Sequence, residues 1–121
     1  MNYDDNNIFA KILRGEIPCK KIYEDEYVLS FYDVNPQKKI HALVVPKGKY
    51  INLDHFNQNA SDKEILGLIK GISIVSEKLG ISYKNGKGYR ALANISENGG
   101  QEVPHLHFHL FGGEKVGKMV S

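Results

Sequence analysis

Apolar positions along this chain follow two rhythms, and the places where one gives way to the other mark its elements. In IFAKILRG, Ile8, Phe9, Ile12 and Leu13 recur at helical spacing and Gly15 follows as a stop, which predicts a short helix. The polar residues before it, 1–7, are expected to be flexible, with a single domain over 8–121. CKKIYED and YVLSFYD read as two strands joined by an acidic turn at Glu24-Asp25-Glu26. NPQKK reads as a turn and IHALVVP as a strand ending at Pro46. INLDHFNQN reads as a polar loop, with His55 a surface residue of that loop. The clearest helix follows: Ser61 and Glu64 form a capping-box pattern. Ile65, Leu68, Ile69, Ile72, Val75 and Leu79 then form one apolar face, and Gly80 is the stop. KNGKG is a turn, YRALANI a strand, SENGGQE a glycine-rich loop and PHLHFHL the last strand, before the tail GGEKVGKMVS. Sequential strands, one short N-terminal helix and one long helix predict a single α+β domain built on a five-stranded antiparallel sheet.

Composition narrows the function. At 121 residues there is room for one domain and one core, and 41% hydrophobic with 25% charged residues is ordinary for a globular protein. A net charge of +2 is too small a bias to point to a nucleic-acid or membrane partner. The lysines at 38, 39, 47 and 49 are interrupted by Ile40 to Pro46 and read as solvated charges flanking a strand. Cys19 is the only cysteine, which rules out an intrachain disulfide and a cysteine-based zinc site; it reads as a small packed residue in a reducing compartment. No apolar run has the length of a membrane span, and MNYDDNN is not a signal peptide. A cytoplasmic protein, with the nucleus also open to it, is expected.

The unusual feature is PHLHFHL, residues 104–110, which places three of five histidines in strict alternation. On a strand, Leu106, Phe108 and Leu110 face a core while His105, His107 and His109 form a row on the other face. Such a row suits a metal site, a catalytic surface or a plain polar face. Histidines two apart can chelate zinc, with His41 or an acid completing the set. Against that stands Gly99-Gly100 just before the row, a pair that lets backbone amides approach anionic oxygens. Against the plain polar face stands the need of each buried imidazole for a partner. A neutral imidazole is a competent nucleophile toward phosphorus, and a second can carry protons. Phosphoryl or nucleotidyl transfer without a metal or other cofactor is the chemistry this pattern supports best.

H-L-H-F-H-L-F resembles the histidine-triad motif. Similar segments extend from about Ile8 to Gly113: IFAKILRGEIP, FYDVNPQ, HALVVPK, KGYRALAN and NGGQEV all resemble the nucleotide-binding, or Hint, branch of the histidine-triad superfamily. Gly112-Gly113 after the last strand favours that branch over the fragile-histidine-triad branch, which cleaves dinucleoside polyphosphates and typically carries Pro-Arg there. The resemblance implies a purine nucleotide phosphoramidase that works as a homodimer through a covalent nucleotidyl-histidine. Its alternatives are a dinucleoside polyphosphate hydrolase and a nucleotide-binding adaptor with incidental hydrolysis. Carried onto this chain, it makes His107 the nucleophile and has His109 contact the phosphate and handle the leaving-group proton. His105 orients the row, and His41 is the fourth histidine beside it. Asp33 accepts the ribose hydroxyls. Ile8, Phe9, Ile12, Phe31, Val34 and Leu43 match the walls around the base, although taken alone each reads as core. Asn94, Gly100, Glu102 and Val103 match the phosphate and leaving-group side. The chain departs from the pattern at Pro104, where an aromatic residue is common, and it has no Trp, so the leaving group is left open.

Overall fold

The computed structural model describes residues 2–120. The elements in chain order are α1 (Ile8–Leu13), β1 (Lys21–Glu24), β2 (Val28–Tyr32), β3 (Ile40–Pro46), α2 (Leu53–Asn59), α3 (Asp62–Lys78), β4 (Arg90–Leu92) and β5 (Phe108–Gly112). The five strands form one antiparallel sheet in the order β1-β2-β3-β5-β4, so the expected α+β architecture is present.

Local chemistry explains the boundaries. Asp25 builds the β1–β2 turn, its Oδ1 accepting from the amides of Tyr27 and Val28 at 2.8 and 2.9 Å. Ser61 and Glu64 close the capping box that starts α3. Two helical glycines then set how closely α3 approaches β2. A Cβ on Gly67 would lie 2.6 Å from Tyr27 and one on Gly71 would lie 3.0 Å from Val28, so the missing side chains are what let helix and strand touch.

Each face of the sheet has its own core. Val28, Ala42, Val44 and Leu110 pack with Leu68, Ile72 and Val75 of α3, and with Phe56 and Leu106. Leu29, Phe31, Leu43 and Val45 point the other way and pack with Phe9 of α1, with Ile12, Leu13, Cys19 and Val103 around them. The histidines lie on this second face, because Leu43 pairs with His109 across the β3–β5 ladder and paired residues share a face.

Several expectations are corrected. INLDHFNQN is not a loop: α2 runs through it, capped by Asn52, whose side chain accepts from the His55 amide at 2.9 Å. His55 is therefore a half-buried helical residue whose Nδ1 accepts from the Ile51 amide. Ile69 is 55% exposed, because the buried stripe of α3 runs through Leu68, Gly71, Ile72 and Val75 and turns Ile69 outward. The last strand begins at Phe108, so His105 and His107 precede the ladder, although the alternation of faces holds through them. Ahead of α1, Asn7 is buried and caps the helix, accepting from the Ala10 amide at 2.9 Å.

Candidate active site

Four histidines converge on the α1 side of the sheet, and the backbone decides where their protons sit. An amide can only donate and a carbonyl can only accept, so each ring bonded to one has a forced tautomer. His107 Nδ1 lies 2.7 Å from the carbonyl oxygen of His105 and must donate to it, which leaves the lone pair on Nε2. His105 Nε2 donates to the carbonyl of Pro46 at 2.9 Å, so its Nδ1 is an acceptor. His41 Nδ1 accepts from the Gln37 amide at 3.2 Å, so its proton is on Nε2. That Nε2–H donates to His109 Nδ1 at 2.9 Å, which places the His109 proton on Nε2. One face of the sheet thus holds a ring with an unshared pair beside a ring with an N–H to give. Their centroids are 5.0 Å apart.

These assignments require neutral rings, and burial keeps them neutral. His105 is fully buried, and desolvation pushes its pKa down to about 4, with the neighbouring His107 adding to the effect. His109 falls to about 4 through desolvation and the nearby His107 and His41. Desolvation also lowers His107, opposed by its bond to the His105 carbonyl and by the charges of Asp33 and Glu102. His41 is lowered by burial against the pull of Asp33. All four shifts run toward the neutral ring, the state a nucleophilic imidazole requires.

The pocket residues separate into those that pack on the row and those that stand apart. Phe9 sets its ring edge-on to His107, centroids 4.9 Å apart, and packs on Phe31 at 5.7 Å. Phe31 and Leu43 are 3% exposed and belong to the second core. Ile12 and Val103 flank that core half-buried, and Ile8 is 45% exposed. Val34, expected in the wall of the base site, is 88% exposed and stands apart from that core. Asp33 sits at the end of β2, where its Oδ1 accepts from the Asn35 amide at 2.8 Å. Its Oδ2 lies 3.4 Å from His41 Nε2 and keeps acceptor capacity for further donors. Asn94 lies two residues past the end of β4, whose last residue, Leu92, pairs with His109. Glu102 is exposed, close enough to His107 for its charge to act on the ring.

The glycine pair is explained differently from the expectation. The Gly100 amide donates to Glu97 O at 3.1 Å and is spent inside the turn, so it does not face outward as a phosphate donor. Gly100 has φ +74°, and a Cβ on Gly99 would lie 2.5 Å from the Ile95 carbonyl oxygen, so the turn itself demands both glycines. Gln101 braces this loop to the rest of the domain. Its Nε2 donates to Ile51 O at 2.6 Å and Val103 O at 3.0 Å, and its Oε1 accepts from the Ser96 amide.

Sequence reasoning missed Gln101, and also Phe111, which stacks parallel to His109 at 5.7 Å and lies 4.3 Å from His41. Phe111 was detectable as the next residue on the histidine face at strand period. Asp33, His41 and His109 place one ligand atom each within 4.8 Å of one another, a spacing that would fit a divalent ion. The nitrogens concerned already bond to each other, and no buried side-chain nitrogen or oxygen is without a partner among the described residues.

The fold and the histidine row place the chain in a known group. It belongs to the HIT domain family, whose description matches residues 14–116. It is 49% identical over 119 residues to an uncharacterized 13.2 kDa HIT-like protein of Azospirillum brasilense, covering 98% of this chain and 95% of that one. Among solved structures it resembles a HIT family hydrolase from Clostridium thermocellum, with TM-score 0.85, 36% identity, and coverage of 98% of this chain and 99% of that one. It also resembles a histidine triad protein from Clostridium difficile, with TM-score 0.81, 39% identity and 98% coverage of each chain.

Proposed function

We propose that this chain is a purine nucleoside phosphoramidase of the Hint branch, converting adenosine or guanosine 5′-phosphoramidates to the nucleoside monophosphate and an amine. The observation that carries this reading is the bond from His107 Nδ1 to the His105 carbonyl, which fixes the lone pair on Nε2 of a neutral, buried ring. The hydrolase name of the Clostridium thermocellum relative supports the reaction class.

In the first step His107 Nε2 attacks phosphorus, the phosphorus–nitrogen bond breaks, and the departing amine takes a proton. The positive charge that develops on the His107 ring is carried by Nδ1–H, bonded to a carbonyl that stabilises it. His109 Nε2–H is the nearby proton source. An anionic phosphate beside His109 raises its affinity for protons, so the charged ring, with Nδ1 also protonated and no longer accepting from His41, is the form that acts as the acid. In the second step water attacks the nucleotidyl-His107, His109 accepts the water's proton, and His107 leaves neutral. Asp33 accepts the ribose hydroxyls, and Phe9, Ile8 and Ile12 flank the base.

The protein acts as a cytoplasmic homodimer in this reading. Support for the dimer comes from exposed Leu66 and Ile69 on α3, each 55% accessible, and from the short edge strand β4. No helix among the described residues is long and apolar enough to cross a membrane.

A leaving-group series tests the proposal. An amine leaves poorly unless protonated, whereas a nucleotide leaves as a stable anion. Wild type should therefore hydrolyse phosphoramidates much faster than dinucleoside polyphosphates, and His109→Ala should harm basic amine leaving groups most. Preference for the polyphosphate would transfer the chain to the other branch. A loss in His109→Ala that is uniform across leaving groups would make His109 a phosphate ligand only.

A further inference from the structure

Residues 3–7 precede the segment that matches the family, yet they reach the centre of the site. We propose that Tyr3 is a positioning residue of the histidine row, its hydroxyl donating to His105 Nδ1 and thereby holding the carbonyl that aligns His107. This rests on His107 being the nucleophile, as argued above. The hydroxyl oxygen lies 2.5 Å from His105 Nδ1, and the Tyr3 ring meets the imidazole edge-on at 5.6 Å. The direction of the bond is forced: His105 Nε2 is committed as a donor to Pro46 O, so Nδ1 can only accept.

The consequence reaches His107 through the backbone. His105 lies before the ladder of β5, where its amide bonds only to the nearby Val103 carbonyl at 2.9 Å. The peptide that carries its carbonyl lies outside the ladder and is held on its other side by the Leu106 amide, which donates to Tyr50 O at 2.8 Å. The ring is the second anchor of this peptide, gripped at both nitrogens, by Pro46 from β3 and by Tyr3 from the chain's beginning. That carbonyl is the acceptor of His107 Nδ1–H. Phe9 supports the arrangement from the side, its ring 6.3 Å from His105 and 4.9 Å from His107.

Tyr3 can serve as an anchor because its own segment is tied down. Asn7 Nδ2 donates to Asp4 O at 2.7 Å. Arg14 Nη1 donates to Asp5 O at 2.8 Å, and Lys49 pairs with the Asp5 carboxylate at 2.8 Å. The segment spans the site from α1 to the loop after β3 and ends on the ring it holds.

Tyr3→Phe removes the O–H and keeps the ring. It should lower kcat roughly three- to tenfold, the range expected for one hydrogen bond, and leave the affinity for nucleoside monophosphate unchanged. Nitrogen-15 spectra of the imidazoles should show the His105 Nδ1 resonance moving in the variant and the His107 Nδ1 proton exchanging faster with water. Tyr3→Ala provides the control for packing. Wild-type kcat in Tyr3→Phe with loss only in Tyr3→Ala would reduce Tyr3 to a packed ring and overturn the proposal. So would an unmoved His105 resonance, or a loss of nucleotide affinity equal to the loss of kcat. If wild type does not turn over phosphoramidates, the proposed function fails, and the resonance comparison alone decides the role of Tyr3.

Discussion

On the α3 side of the sheet, Val28, Ala42, Val44 and Leu110 meet Leu68, Ile72 and Val75, none more than 8% exposed and none offering a polar side-chain atom. On the α1 side the same strands hold His41, and the segment leading into β5 holds His105 and His107, buried as deeply but each tied to a backbone amide or carbonyl. The first face is held by area removed from water, at about 25 cal/mol per Å², and tolerates some variation in shape. The second face adds to its own apolar cluster of Phe9, Leu29, Phe31, Leu43 and Val45 a set of directional bonds that also dictate which nitrogen carries each proton. The alternation of side chains thus confines the histidine row to one face, while both faces bury apolar side chains. Changes on the two faces should fail in different ways.

The largest expected effect is on reactivity. His107→Ala should cost at least about a hundredfold in kcat, as deletion of a covalent catalyst does, while nucleoside monophosphate still binds. A variant retaining more than that would contradict the nucleophile role. Leu68→Ala, on the other face, should cost about 2–5 kcal/mol of stability in denaturant unfolding with kcat of the folded protein unchanged. A kcat loss larger than the folded fraction explains would show that the two faces are coupled.

The pH dependence of stability sharpens the same contrast. His105 binds its proton near pH 4 in the folded state and near 6.5 unfolded, so between these values the unfolded chain holds more protons. Its contribution is fully present above pH 6.5 and is lost as pH falls toward 4, amounting to about 3 kcal/mol. Leu68→Ala should lower the whole stability curve without altering its slope in that window. A flat wild-type curve between pH 6.5 and 4 would mean the row is not buried neutral.

Smaller effects probe the rim. Asp33→Ala should weaken ribonucleotides by roughly 1.5–3 kcal/mol and 2′,3′-dideoxy analogues far less, measured by calorimetry. Equal losses would make Asp33 a source of general charge. Exhaustive chelation should leave turnover unchanged, and stoichiometric zinc lost together with activity would assign Asp33, His41 and His109 to a metal.

Much of this arrangement was legible in the residues because it rests on period. The alternation in PHLHFHL separated Leu106 and Leu110 from the histidines, and the S-x-x-E pattern placed the start of α3. What escaped lacks periodic or compositional signal. α2 has Phe56 as its only buried residue, too little apolar content to stand out from a loop. Ile69 shares an apolar stretch with Leu68, and only the depth of helix packing at Gly67 and Gly71 decides which of them faces the sheet. The partners that set the tautomers are carbonyls and amides of Pro46, His105 and Gln37, groups that nearly every residue possesses. Tyr3 reaches His105 across 102 positions of sequence, a distance no local pattern spans.

The central claim, displacement at phosphorus by His107 followed by displacement by water, is tested most directly by stereochemistry. A phosphoramidate made chiral at phosphorus with oxygen isotopes, hydrolysed in isotopically labelled water, records the number of displacements. Two in-line steps predict net retention of configuration. Net inversion would mean that water attacks the substrate directly, and would contradict the covalent account.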